Sequence, residues 1–81
     1  MNRDIIQAAL DLPIGCYDKE MDLLNKNNLS KVIKALSYES DTDVEVCINR
    51  KRYIVEICMD GLVDVDFHVL AKAEYKNRYG E

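Results

Sequence analysis

Between Thr42 and Val69 apolar and polar residues alternate with a period of two, and this alternation constrains the fold more than any other feature of the chain. Val44, Val46 and Ile48 alternate with Glu45, Cys47 and Asn49. Tyr53, Val55, Ile57 and Met59 alternate with Ile54, Glu56 and Cys58, and Val63, Val65, Phe67 and Val69 with Asp64, Asp66 and His68. Side chains along a strand point alternately to the two faces of a sheet, so β-branched residues at this period mark strands with one buried face. Asn49-Arg50-Lys51-Arg52 and Asp60-Gly61-Leu62 separate the runs as turns, which predicts a three-stranded antiparallel meander.

The apolar pattern also restricts the register. Pairing Ile48 with Tyr53 sets Val46 against Val55 and Val44 against Ile57, giving one wholly apolar face. In the second hairpin, a two-residue Asp60-Gly61 turn would pair Met59 with Leu62 and bring Asp64 to the core side beside Ile57. A slip of one residue turns every side chain to the other face, so Leu62 is assigned to a three-residue loop or a bulge. Met59 then pairs with Val63, Ile57 with Val65 and Val55 with Phe67. The opposite face carries Glu45, Glu56 and Asp66 in one row, flanked by Asp43, Cys58 and Asp64 on one side and Cys47, Ile54 and His68 on the other. Directly opposed like charges destabilise a sheet, so this face calls for a compensating partner or for free hydration.

Upstream of the sheet the pattern is helical. A first helix is expected from Arg3 to about Asp11, with Asn2 as its cap, Asp4 near its N-terminus and Leu12-Pro13-Ile14-Gly15 as its end and linker. A second piece runs from Asp18 to about Lys26. A third, capped by Asn28 or Ser30, presents Leu29, Val32, Ile33 and Leu36 as one apolar stripe, and a single kinked helix from Asp18 to Tyr38 fits the same pattern. After the last strand, Leu70 to Tyr79 reads as a closing helix stopped by Gly80, with Lys76 and Arg78 at the negative end of its dipole. The resulting order is αααβββα: an α+β, two-layer domain, with the three-stranded meander packed under helices on one face.

With 81 residues and no repeat or low-complexity tract, the chain is expected to form a single small domain, 1–81, for which a homodimer would be a natural supplement to stability. No run of roughly eighteen apolar residues occurs, and acids interrupt the opening MNRDIIQAALDL where a signal peptide needs an apolar stretch, which points to a cytoplasmic protein without a membrane role. Cys16, Cys47 and Cys58 are odd in number and lack zinc-finger spacing, so they read as reduced thiols rather than a disulfide framework or structural metal site. The net charge of −4 is uneven: residues 1–48 hold five Lys/Arg against nine Asp/Glu, and residues 49–81 hold six against six. An acidic chain is repelled by nucleic acid and suited to basic protein surfaces.

Five sets of residues bear on function. Residues two apart on a strand lie about 6.6 Å apart and neighbouring strands about 4.8 Å apart, so Glu45, Glu56, Asp64 and Asp66 form a lattice of negative charge able to imitate phosphates and dock on a basic cleft. The alternative reading of these residues is a solvated outer face. Asp64-x-Asp66-x-His68 with Glu56 also suggests oxygen donors for a divalent ion, yet alternate side chains of one flat strand are spaced too widely to gather a single ion, and no metal, cofactor or catalytic residue is assigned. Cys47 and His68, two strands or about 10 Å apart, are too distant for a nucleophile pair. Arg50, Lys51, Arg52 and Tyr53 make a basic hairpin tip that could touch phosphates directly, although three clustered bases give a short footprint. Tyr79, near the end of the closing helix, is a candidate interface contact.

Taken together these features predict a non-catalytic protein-binding module that docks its acidic sheet face on a basic surface of a partner, such as a nucleic-acid-processing complex. In being small, acidic and free of catalytic motifs the chain resembles phage-encoded inhibitors, including anti-CRISPR proteins and DNA mimics; the resemblance is one of composition and assigns no residues. A nucleic-acid-binding module using the 50–52 turn is the alternative, and a divalent-metal-dependent enzyme the third reading.

Overall fold

The computed structural model describes residues 1–38, 40–61 and 63–80, with the side chain of Asp60 also left aside. Its elements are α1 (Asn2–Ala9), β1 (Ile14–Tyr17), a 3₁₀ turn (Lys19–Leu23), α2 (Lys26–Ala35), a second 3₁₀ turn (Leu36–Tyr38), β2 (Thr42–Ile48), β3 (Lys51–Asp60), β4 (Asp64–Ala71) and α3 (Lys72–Tyr79). The class is α+β, as the sequence predicts, but the order αααβββα is not the one observed.

The meander gains a fourth strand. The sheet order is β1-β4-β3-β2, and β1 runs parallel to β4, with Ile14 opposite Val65 and Tyr17 opposite Phe67. The segment expected to be a linker after Pro13 is therefore an edge strand. It is bonded to β4 at both ends, since the Pro13 carbonyl accepts from the Val65 amide at 3.1 Å and the Asp18 amide donates to the Phe67 carbonyl at 3.2 Å. Three steps along β1 match two along β4, so β1 carries a bulge.

The register of the meander differs from expectation by two residues in both hairpins. Ile48 pairs with Lys51 across the two-residue turn Asn49-Arg50, and Met59 pairs with Val65 rather than Val63. Asn49 and Arg50 both adopt positive φ, 50° and 67°, which matches the right-handed twist of a two-residue hairpin. A shift of two leaves each side chain on its expected face but replaces its cross-strand neighbours. The loop assignment of Leu62 falls outside the described residues.

Helices depart from expectation for local reasons. α1 begins at Asn2, whose side chain does not cap it but donates to the carbonyls of Met21 at 2.7 Å and Leu24 at 3.2 Å. The expected helix from Asp18 shrinks to a 3₁₀ turn, with Asp18 accepting instead from the Val69 amide at 2.7 Å. The third piece starts earlier than expected: its cap is Asn25 rather than Asn28 or Ser30, and Asn25 accepts from the Asn28 amide at 2.9 Å at the start of α2. Asn28, buried, in turn donates to the Cys47 carbonyl at 2.9 Å and ties α2 to β2.

One apolar core lies between the sheet and the α1–α2 layer. Val46, Ile48, Val55, Ile57, Val65 and Phe67 face Ile6, Met21, Leu24, Leu29, Val32 and Leu36, with Phe67, Ile6, Met21 and Val32 fully buried. The helices do not all share that face. α3 begins directly after β4, ends at Gly80 in the left-handed region at φ 72°, and lies on the opposite face with none of its residues buried. Beneath it, Ile54 and Leu70 pair across β3 and β4, buried but outside the main core. Among the described residues no helix is long and apolar enough to cross a membrane.

Candidate functional site

The outer face of the sheet gathers most of the chemistry-bearing side chains. The expected row Glu45–Glu56–Asp66 does not form. Asp43, Glu56 and His68 lie in one row, Glu45, Ile54 and Leu70 in the next, and Cys58 faces Asp66. The acidic residues therefore run diagonally across the sheet, in two groups with different partners.

The first group is held by α3. Glu45 receives Lys72 at 3.2 Å and Arg52 at 3.3 Å. Asp43 accepts from the Tyr75 hydroxyl at 2.5 Å, and Glu56 accepts from the Tyr79 hydroxyl and sits 3.8 Å from Arg78. Glu56 is only 9% exposed, an unusual state for a carboxylate without a paired donor. Protonation follows these contacts. The Lys72 hydrogen bond and charge hold the Glu45 carboxyl below its ordinary value. The bond to Asp43 pushes the Tyr75 phenol up to about 12, and the bond to Glu56 raises that of Tyr79. The ring centroids of Tyr75 and Tyr79 lie 4.6 Å apart, so the two phenols form one unit. The repulsion expected of this face is thus offset by the chain's own last helix. Lys72, Tyr75 and Tyr79 recur three and four residues apart on one helical face, the signal in the sequence that could have identified this cover.

The second group is held by β1. Because of the bulge, Gly15 and Cys16 are both exposed between buried Ile14 and half-buried Tyr17. The Cys16 amide donates to Asp66 at 2.8 Å. A Cβ on Gly15 would stand 2.5 Å from an Asp66 carboxylate oxygen and 2.7 Å from one of Asp64, so any larger residue there would force these carboxylates to move. The same approach brings Cys16, Asp66 and His68 together: one ligand atom from each lies within 4.8 Å of the others. The sequence pattern Asp64-x-Asp66-x-His68 pointed to this strand face but had no means of adding Cys16, fifty positions away from Asp66. Cys58, across from Asp66, is half-buried and its thiol is pushed up, chiefly by burial.

The hairpin tip divides as well. Arg50 and Lys51 are exposed, Arg52 is drawn to Glu45, and Tyr53 turns inward to pack against the core. Tyr79, expected as an interface contact, remains 52% exposed although its hydroxyl bonds Glu56. On the far side of the sheet a cleft of about 500 Å³ lies among Leu10, Leu12, Ile33, Leu36 and Met59, with Asp11 and Ser37 adding polar groups to its lining. No protein-family model, curated protein or solved structure matches the chain.

Proposed function

We propose that the protein is a small, non-catalytic protein-binding module whose acidic outer face docks on a basic surface, and that α3 occupies this face until a partner replaces it. The observation that carries the reading is the chemistry of the α3 contact. Lys72, Tyr75, Arg78 and Tyr79 reach Glu45, Asp43 and Glu56 through polar groups, and no α3 residue is itself buried, although Ile54 and Leu70 lie beneath the helix. The face is thus complementary to cations and hydroxyl donors on a helix, and what holds the present occupant is weak. Exposed ion pairs contribute little to stability, so a partner that offers more cations, and an apolar contact to keep Ile54 and Leu70 covered, could displace α3. Charge complementarity would also speed its encounter.

A nucleic-acid-processing protein offers such a basic surface, and the module would act as its inhibitor in the cytoplasm, in the manner of phage-encoded inhibitors. Direct nucleic-acid binding through the hairpin tip is the weaker reading, because Arg52 is engaged by Glu45 and Tyr53 by the core, leaving Arg50 and Lys51.

The test uses the tagged full-length chain to capture partners from nuclease-treated lysate of its native host. Capture is expected to be salt-sensitive, lost with Asp43→Lys and Glu45→Lys together, retained with Arg50, Lys51 and Arg52 all changed to Ala, and strengthened by Tyr79→Phe, which loosens α3. Capture that survives the two charge reversals, or recovery of nucleic acid that depends on the hairpin tip, overturns the proposal.

A further inference from the structure

We infer that Cys16, Asp66 and His68 form a zinc-binding site with three protein ligands and an open fourth position. The inference is independent of the docking role, since it uses side chains that α3 does not touch in any of its polar contacts.

The donor set selects the metal. A thiolate and an imidazole are poor ligands for Mg²⁺ or Ca²⁺, which take oxygen, whereas sulfur, nitrogen and one carboxylate oxygen together suit Zn²⁺. Three protein ligands plus water is the usual composition of an open zinc site, while closed structural sites take four. Bond lengths of about 2.3 Å to sulfur and about 2.0–2.2 Å to nitrogen and oxygen place tetrahedral ligands roughly 3.5 Å apart. The three donor atoms already lie within 4.8 Å of one another, so rotations of side chains at a half-exposed surface suffice to close the set.

The backbone is arranged for this approach. The β1 bulge turns Cys16 to the face that carries Asp66 and His68, and Gly15 removes the Cβ that would otherwise collide with the carboxylates. The Cys16 amide holds one oxygen of Asp66 at 2.8 Å, which orients the carboxylate and leaves its second oxygen for the metal. Asp66 and His68 stand two apart on one strand and point to one side, and the neighbouring strand supplies the third ligand that a single strand could not. Binding displaces the Cys16 thiol proton to solvent and forms the S–Zn bond, with no change of oxidation state.

The decisive experiment titrates the reduced, full-length protein with Co²⁺ as a spectroscopic stand-in, and then with Zn²⁺ against a chromophoric chelator. One equivalent of Co²⁺ is expected to give a thiolate-to-cobalt charge-transfer band and the visible bands of a tetrahedral ion, and Zn²⁺ to displace it and raise the melting temperature. Cys16→Ser abolishes the charge-transfer band, and His68→Gln and Asp66→Asn each weaken Zn²⁺ binding at least about tenfold. Cys47→Ser leaves both readouts unchanged. Circular dichroism of each variant separates loss of ligand from loss of fold. No spectral change with excess Co²⁺, a band that survives Cys16→Ser, or a band removed by Cys58→Ser instead, overturns the assignment.

Discussion

Replacing Gly15 by Ala tests the argument that β1 lies this close to the Asp64 and Asp66 carboxylates because one residue lacks a Cβ. The added methyl would lie 2.5 Å from Asp66 Oδ1, 2.7 Å from Asp64 Oδ2 and 2.8 Å from Asp64 Cγ, where ordinary contact begins near 3.4 Å. Both carboxylates must therefore retreat by close to an ångström. Asp66 cannot do so and keep its 2.8 Å bond from the Cys16 amide. Loss of a hydrogen bond to a charged group, at a site open to water, together with the overpacking, sums to about 1–3 kcal/mol. In a domain of this size each kcal/mol lowers the melting temperature by about 4–8 °C, so Gly15→Ala should melt at least several degrees below the parent in thermal circular dichroism. The effect should shrink when Asp66→Ala removes one of the obstructing carboxylates, giving a coupling of at least about 0.5 kcal/mol in a double-mutant cycle. A melting temperature within about a degree of the parent, or strictly additive changes, would refute the close approach of β1 to these carboxylates.

Two other perturbations bear on the turn and on α3. Arg50 adopts φ 67° in a two-residue hairpin turn, so Arg50→Gly should stabilise the protein by roughly 0.5–1 kcal/mol in urea unfolding, and a destabilisation would contradict the turn geometry. The docking of α3 should depend on pH at both ends. Tyr75, raised to about 12 by Asp43, supports docking fully below the ordinary tyrosine value and loses that support as pH rises towards 12, whereas Glu45, lowered by Lys72, supports it above the ordinary carboxylate value and ceases to as pH falls through its lowered one. Phenolate absorbance and amide exchange of α3 should therefore report release in strong alkali and in acid, with Tyr75→Phe removing the alkaline step; an alkaline step unchanged by Tyr75→Phe would show that this bond does not govern it.

Alternation at period two, carried by Val44 to Val69, determined from sequence alone that this region is a meander, which acids face away and, with one exception, which residues face the core: Val63, expected there opposite Met59, precedes β4 and is 66% exposed. The closing helix and its stop at Gly80 were legible for the same reason, since both depend on neighbours along the chain, although Leu70 and Ala71, expected in the helix, belong to β4. A period-two pattern cannot distinguish registers that differ by two residues, so the cross-strand partners of Glu45, Glu56 and Asp66 were left to the turns: positive φ at Asn49 and Arg50 tightened the first hairpin beyond what the run Asn49–Arg52 suggested.

Ile14-Gly15-Cys16-Tyr17 has no alternation to announce a strand, and its partner lies fifty residues away. It becomes a strand because Ile14 and Tyr17 pack on the core edge and β4 offers an unpaired row of amides and carbonyls. Likewise the acidic rows demanded a counterpart that local pattern could not name, and tertiary structure supplied Lys72, Tyr75, Arg78 and Tyr79. Sequence determined the faces because side-chain direction is a local property of a strand. Only the tertiary structure decided what meets across those faces, because such contacts join residues far apart in the chain and are selected by packing and charge together.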